Sequence, residues 1–151
     1  MNKKVFLIVI ALLYALWWGG FTFYAGFVVP QGMKILGDHF KMGLITQSVT
    51  NYLNAIGVSA LFVSLLFMMF FNRQAGNIFR IIGWDWFVLA LLQALLFYVH
   101  HLLSISIQLI SPDVPLERFF YNTHRIYLLA STVIWLIIPF HAYRVKEVGD
   151  S

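Results

Sequence analysis

VFLIVIALLYALWWGGFTFYAGFVV, residues Val5–Val29, carries no charged side chain from end to end. An α-helix rises about 1.5 Å per residue, so ~20 apolar residues cross the ~30 Å hydrocarbon core of a bilayer. This stretch is long enough. Working outward from it, three more runs meet the same test: about 50–71 (continuously apolar from Tyr52), 84–110 and 119–143. Hydrophobic residues make up 61% of the 151-residue chain and charged residues 11%, which leaves too little polar surface for a water-soluble domain. Backbone N–H and C=O groups cannot go unpaired in hydrocarbon, and continuous runs of this length suit helices rather than the alternating strands of a barrel. The expected fold is therefore all-α: one transmembrane domain over residues 1–151, an integral membrane antiparallel four-helix bundle.

Composition narrows the chemistry. Without cysteine there is no disulfide framework, thiolate metal site, iron–sulfur cluster or covalently attached haem. The net charge of +4 comes from basic residues scattered near span ends rather than gathered on one face, so no nucleic-acid partner is expected. The expected partners are membrane lipid and either other membrane protein subunits or further copies of the chain. Met1-Asn-Lys-Lys before an apolar run has the outline of a signal peptide. The run continues through Trp17 and Trp18 to Val29 without a small-residue cleavage pattern, so it reads as an uncleaved span. Four spans put both termini on one side, with Lys3, Lys4, Arg73, Arg80, Arg144 and Lys146 there and Lys34, Lys41, Arg118 and Arg125 opposite. That bias favours cytoplasmic N and C termini, in a bacterial inner membrane.

Punctuation between the spans sets further expectations. Pro30 should end or kink the first helix. Beyond it Met33, Leu36, Phe40 and Leu44 recur at helical spacing, with Lys34, Asp38 and Lys41 on another side; this predicts a short interfacial amphipathic helix between helices 1 and 2. Asn72–Gly83 reads as a short basic connection and Ser111–Glu117, with Pro112 and Pro115, as a tight extended turn. On the first helix Ala11, Ala15, Gly19, Thr22 and Gly26 fall three or four apart, a small-residue face expected to pack inside the bundle.

Polar residues within the spans are where function is sought, because they are costly in hydrocarbon and face a bundle interior. Gln47, Thr50, Asn54, Gly57 and Ser64 form one stripe, Gln93, His100, Ser104 and Gln108 a second, and His124, Ser131 and Trp135 a third. Three stripes shelter best by facing one another. At about 1.5 Å per residue, His100 and His101 lie roughly 15 Å below the outer end of their helix and His124 about 9 Å below its own. They can meet in the outer half of the membrane, with Asn51 and Asn54 in the same layer and Asp38 and His39 above.

One reading of this meeting point is a cofactor site. Haem b, or a copper or zinc ion, would take His124 and either His100 or His101 as ligands, with His39 a further metal candidate. Phe97, Phe120, Tyr121 and Trp135 would be walls, Arg125 would lie near the propionates, and Asn54 would add a polar contact. The other reading is that the imidazoles hydrogen-bond amides and hydroxyls across helices and hold the bundle together. His141, at the inner end of the fourth span beside Arg144 and Lys146, is expected to snorkel at the interface. Asp85 is expected at a helix N-terminus there, and Trp17, Trp18 and Trp135 as bundle filling.

Leu16-Trp-Trp-Gly-Gly-Phe, Val28-Val-Pro30, Gly43 before the second span, and Arg118-Phe-Phe-Tyr-Asn-Thr-His124-Arg together make a pattern. It resembles the family called domain of unknown function 4149, which includes the transmembrane protein 205-like proteins. The resemblance implies a four-helix membrane fold and draws attention to Gly20, Pro30 and His124; it implies no reaction. The sequence itself has no nucleophile motif, phosphate-binding glycine loop or paired acids at helical spacing. The expected function is accordingly a non-enzymatic accessory or scaffold subunit with a histidine-containing pocket toward the outer leaflet, the alternative being a redox protein binding haem b, a metal or a quinone there.

Overall fold

The first helix begins where Asn2 caps it: its side chain accepts the Lys4 N–H at 3.1 Å and its carbonyl the Val5 N–H at 3.0 Å. The structure, a computed structural model, describes residues 2–71, 82–109 and 117–150. The third connection at 111–116 and most of the second, at 72–81, lie outside the described residues, as do the side chains of His39, Phe40, Gln108, Arg118, Phe120 and Tyr121. Helix α1 is Lys3–Phe23. It does not stop at Pro30. Residues Tyr24–Val28 form a π-helical turn, in which the Val29 N–H bonds the Tyr24 carbonyl five residues back, and α2 (Val29–Leu36) follows with helical dihedrals throughout. The wider turn answers the proline's missing N–H and ring bulk without breaking the helix.

The break comes at Gly37, in the left-handed conformation (φ +57°), whose N–H closes on the Met33 carbonyl at 3.0 Å. Asp38 then caps the next helix by accepting the Lys41 N–H at 3.3 Å. The amphipathic segment predicted over Met33–Leu44 is thus divided: its first part ends α2, which buries none of its residues fully, and the rest opens α3, His39–Phe71. A glycine and a capping aspartate in succession outweigh the apolar periodicity that runs across them. Helices α4 (Trp84–Leu109) and α5 (Glu117–Asp150) complete the chain.

Among the described residues there is no strand, and four helical segments are long and apolar enough to cross a membrane: Lys3–Leu36, Lys41–Phe71, Trp84–Ile105 and Asn122–Asp150. Helices α1, α3, α4 and α5 pack as a ring, each on the next, with α3 also touching α5 across the middle and α2 resting on α3. From one end to the other, Phe6 meets Phe67, Tyr14 bonds Ser64, Gly20 backs onto Leu53 and Tyr24 bonds Thr46.

The inward face of α1 is aromatic, not small. Phe6, Ile10, Tyr14 and Trp17 are buried, whereas Ala11, Ala15, Thr22 and Gly26 are exposed, and a Cβ on Gly19 or Gly26 would meet nothing within 4 Å. The expectation of an internal small-residue face is overturned. Large apolar side chains at every third or fourth position fill the ring of helices, and α1 meets α3 closely at particular glycines: Leu53 lies 3.1 Å from a would-be Cβ on Gly20, and Trp17 Nε1 3.0 Å from one on Gly57.

Candidate functional site

Inward polar residues of α3, α4 and α5 converge, Trp135 of the third stripe turning instead toward α1, and they divide into an upper cavity, a buried middle and a charged lower end. The cavity, about 350 Å³, draws Tyr24 and Val29 from the π turn and α2, Thr46, Gln47 and Thr50 from α3, His100 and Leu103 from α4, and His124, Tyr127 and Leu128 from α5. Methionines 33 and 42 add flexible apolar wall. Both α3 threonines bond back into their helix, Thr46 to the Met42 carbonyl (2.8 Å) and Thr50 to the Thr46 carbonyl (2.7 Å), while the Tyr24 hydroxyl donates to Thr46 Oγ1 (2.9 Å). His100 Nε2 lies 3.1 Å from the Gln47 carbonyl oxygen, a bond that fixes the proton on that nitrogen.

Placement of the candidate residues follows from helix rotation. His100 and His124 line the same cavity from neighbouring helices, while His101, one residue and ~100° further round, is exposed. Asn54 lies beneath the cavity floor, 1% exposed; its Oδ1 accepts from Tyr127 Oη (3.2 Å) and Gln93 Nε2 (3.4 Å), and its Nδ2 has no partner. Arg125 is exposed and does not line the cavity. His39 opens α3, its side chain outside the described residues. No group of three or more metal-binding side chains is found among the described residues.

Below Asn54, Tyr14, Trp17, Gly57 and Gln93 enclose a void of about 10 Å³, close to the size of one water probe. The indole N–H of Trp17, 2% exposed, is unpartnered beside it. Trp18, 36% exposed, is by contrast not filling: it stacks on Trp135 between α1 and α5, and Trp135, partly buried, packs against the core.

The lower end holds the cluster that sequence reasoning missed. His141 is 0% exposed and does not snorkel. It belongs to the inward series Ile134, Ile138, His141, Val145, and its Nδ1 lies 2.6 Å from Asp85 Oδ2. Nε2 reaches Ser64 Oγ at 3.5 Å, and Ser64 in turn accepts from the Tyr14 hydroxyl at 3.1 Å. The Tyr14 ring stands edge-on to the imidazole, centroids 5.6 Å apart. Arg144 pairs with Asp85 through Nη1 and Oδ1 at 2.5 Å and donates to the Ile82 carbonyl. Its guanidinium occupies the place a Cβ on Gly83 (φ +83°) would take. Opposite charge on Asp85 and Arg144 explains how an imidazole can be buried here. The three-residue spacing of His141 and Arg144, in phase with Ile134 and Ile138, was the available signal.

No family model, curated protein or solved structure matches the chain.

Proposed function

We propose that the chain is an integral membrane protein of four antiparallel helices, with its termini in the cytoplasm, that binds a bilayer-dissolved ligand of quinone type without turning it over. The observation that carries this reading is the cavity itself: mostly apolar walls, with His100, His124, Gln47 and Thr46 among the residues that line it. Such a lining suits a small molecule with an apolar body and a head that accepts or donates hydrogen bonds. With the termini in the cytoplasm, its position beyond the middle of the bundle, on the side away from them, supports a site toward the outer leaflet. The bias of basic residues toward the termini supports that orientation.

A ligand of this class is favoured over haem or a metal ion by the state of His100. Its Nε2 is engaged by the Gln47 carbonyl, so ligation would have to displace that bond, whereas a hydrogen-bonding head can be received beside it. The test is binding of a decyl-substituted benzoquinone to the purified full chain. Removing one neutral hydrogen bond costs ~1 kcal/mol, so His124→Ala should raise Kd about fivefold while leaving the helical spectrum intact. A purified protein with a Soret band that His124→Ala abolishes would overturn the proposal in favour of haem, as would the absence of any quinone binding.

A further inference from the structure

The α1–α5 seam is closed at mid-height and open above. Trp18 and Trp135 stack with centroids 5.0 Å apart and planes 9° from parallel. The Trp18 indole N–H donates to the Trp135 carbonyl (3.2 Å), and the Trp135 indole N–H to Thr22 Oγ1 (2.8 Å), which itself donates to the Trp18 carbonyl (2.7 Å). Above this clamp the backbones diverge. Among the described residues no Cα of the π turn or α2 comes within 8 Å of one on α5, although α2 packs against α3. The two sides of the opening, Ala25 on the π turn and Leu128 on α5, line the cavity and are both exposed.

We infer that this gap is a lateral portal through which a membrane-dissolved ligand enters the cavity from the acyl chains, its head passing between Ala25 and Leu128 toward His124. The inference rests on the ligand-binding reading above and adds the route. A ligand already dissolved in hydrocarbon needs no aqueous mouth, and its apolar body can remain in the gap at no cost in desolvation. The rim suits that use: it is apolar on both sides, and His124 stands one turn from Leu128 on the same helix. The hydrogen-bonded tryptophan pair below keeps the seam from parting further down.

The test uses the full chain in nanodiscs and decyl-substituted benzoquinone as the probe, with association and dissociation followed separately. Filling the rim with Ala25→Phe plus Leu128→Phe should slow association about tenfold, and Leu128→Phe alone, at a position already exposed, should slow it in the same direction if the double variant misfolds. Val58→Phe, on an exposed part of α3 away from the gap, should change nothing. Unaltered association in folded rim variants, with binding still weakened by His124→Ala, would overturn the portal and leave the ligand site standing. Failure of the wild-type chain to bind the quinone, or a co-purified phospholipid that the quinone does not displace, would overturn both.

Discussion

Gly57→Ala sets two effects of known sign against each other. In an ordinary helix the change gains about 1 kcal/mol of propensity. At this position the new methyl would lie 2.6 Å from Gln93 Oε1, 3.0 Å from Trp17 Nε1 and 3.1 Å from Trp17 Cδ1. Trp17 is 2% exposed, with its ring stacked on Phe21 at 5.5 Å, so it cannot turn away. Gln93 can move, but only by giving up its bond to Asn54 Oδ1. An interhelical bond of that kind is worth ~0.6–2 kcal/mol in a membrane protein, and forced repacking adds ~1–3 kcal/mol. The propensity gain loses. Gly57→Ala should destabilise the chain by about 1–2 kcal/mol, read from reversible unfolding in bicelles. Gln93→Ala removes the atom nearest the methyl, so the double variant should be more stable than the sum of the single effects by ~1 kcal/mol. A Gly57→Ala protein as stable as wild type, or more so, would refute the close packing argued for the middle of the bundle.

The lower cluster gives two more expectations. Asp85→Ala leaves Arg144 and the buried His141 without their carboxylate. For a fully buried pair the loss would be ~3–5 kcal/mol, but the Asp85 and Arg144 side chains are 23% and 33% exposed, so about 2 kcal/mol is expected in the same unfolding assay, with Asp85→Asn milder because it retains an acceptor. A neutral Asp85→Ala would show that the ion pair contributes nothing. Gly83→Ala imposes a left-handed backbone on a residue with a side chain, ~1–2 kcal/mol, and drives its methyl into the Arg144 guanidinium. Its cost should therefore shrink in an Arg144→Ala background, and an unchanged cost there would separate the glycine from the arginine.

Hydropathy over a helical length is a one-dimensional quantity, which is why the four segments long and apolar enough to cross a membrane were legible in the sequence. So was the level that lets His100 and His124 line one cavity, because the height of a residue on a straight helix is simply its count times the rise. Rotation about the axis is different. It is set by packing, and nothing local to His100 and His101 says which faces inward; the answer depends on α3 presenting the Gln47 carbonyl. His141 was misread for a related reason. A histidine beside Arg144 and Lys146 resembles an interfacial residue until Asp85, distant in sequence, supplies a carboxylate oxygen for its Nδ1. The small-residue stripe of α1 failed because small residues permit close helix approach without compelling it, and Tyr14 and Trp17 on another face bring far more apolar area to bury.

The wall that the first helix gives the cavity runs unbroken through the π turn. Phe21, Ala25, Val29 and Met33 fall four residues apart and all line the cavity, with Tyr24 beside them. A Cβ on Gly32 would lie 2.6 Å from Sδ of Met42, another lining residue, so α2 comes close to α3 there. Pro30 in the sequence predicts an end or a kink at this point. The π turn, whose bond runs from Val29 back to Tyr24, accommodates the proline instead, and the wall continues until Gly37 breaks the helix.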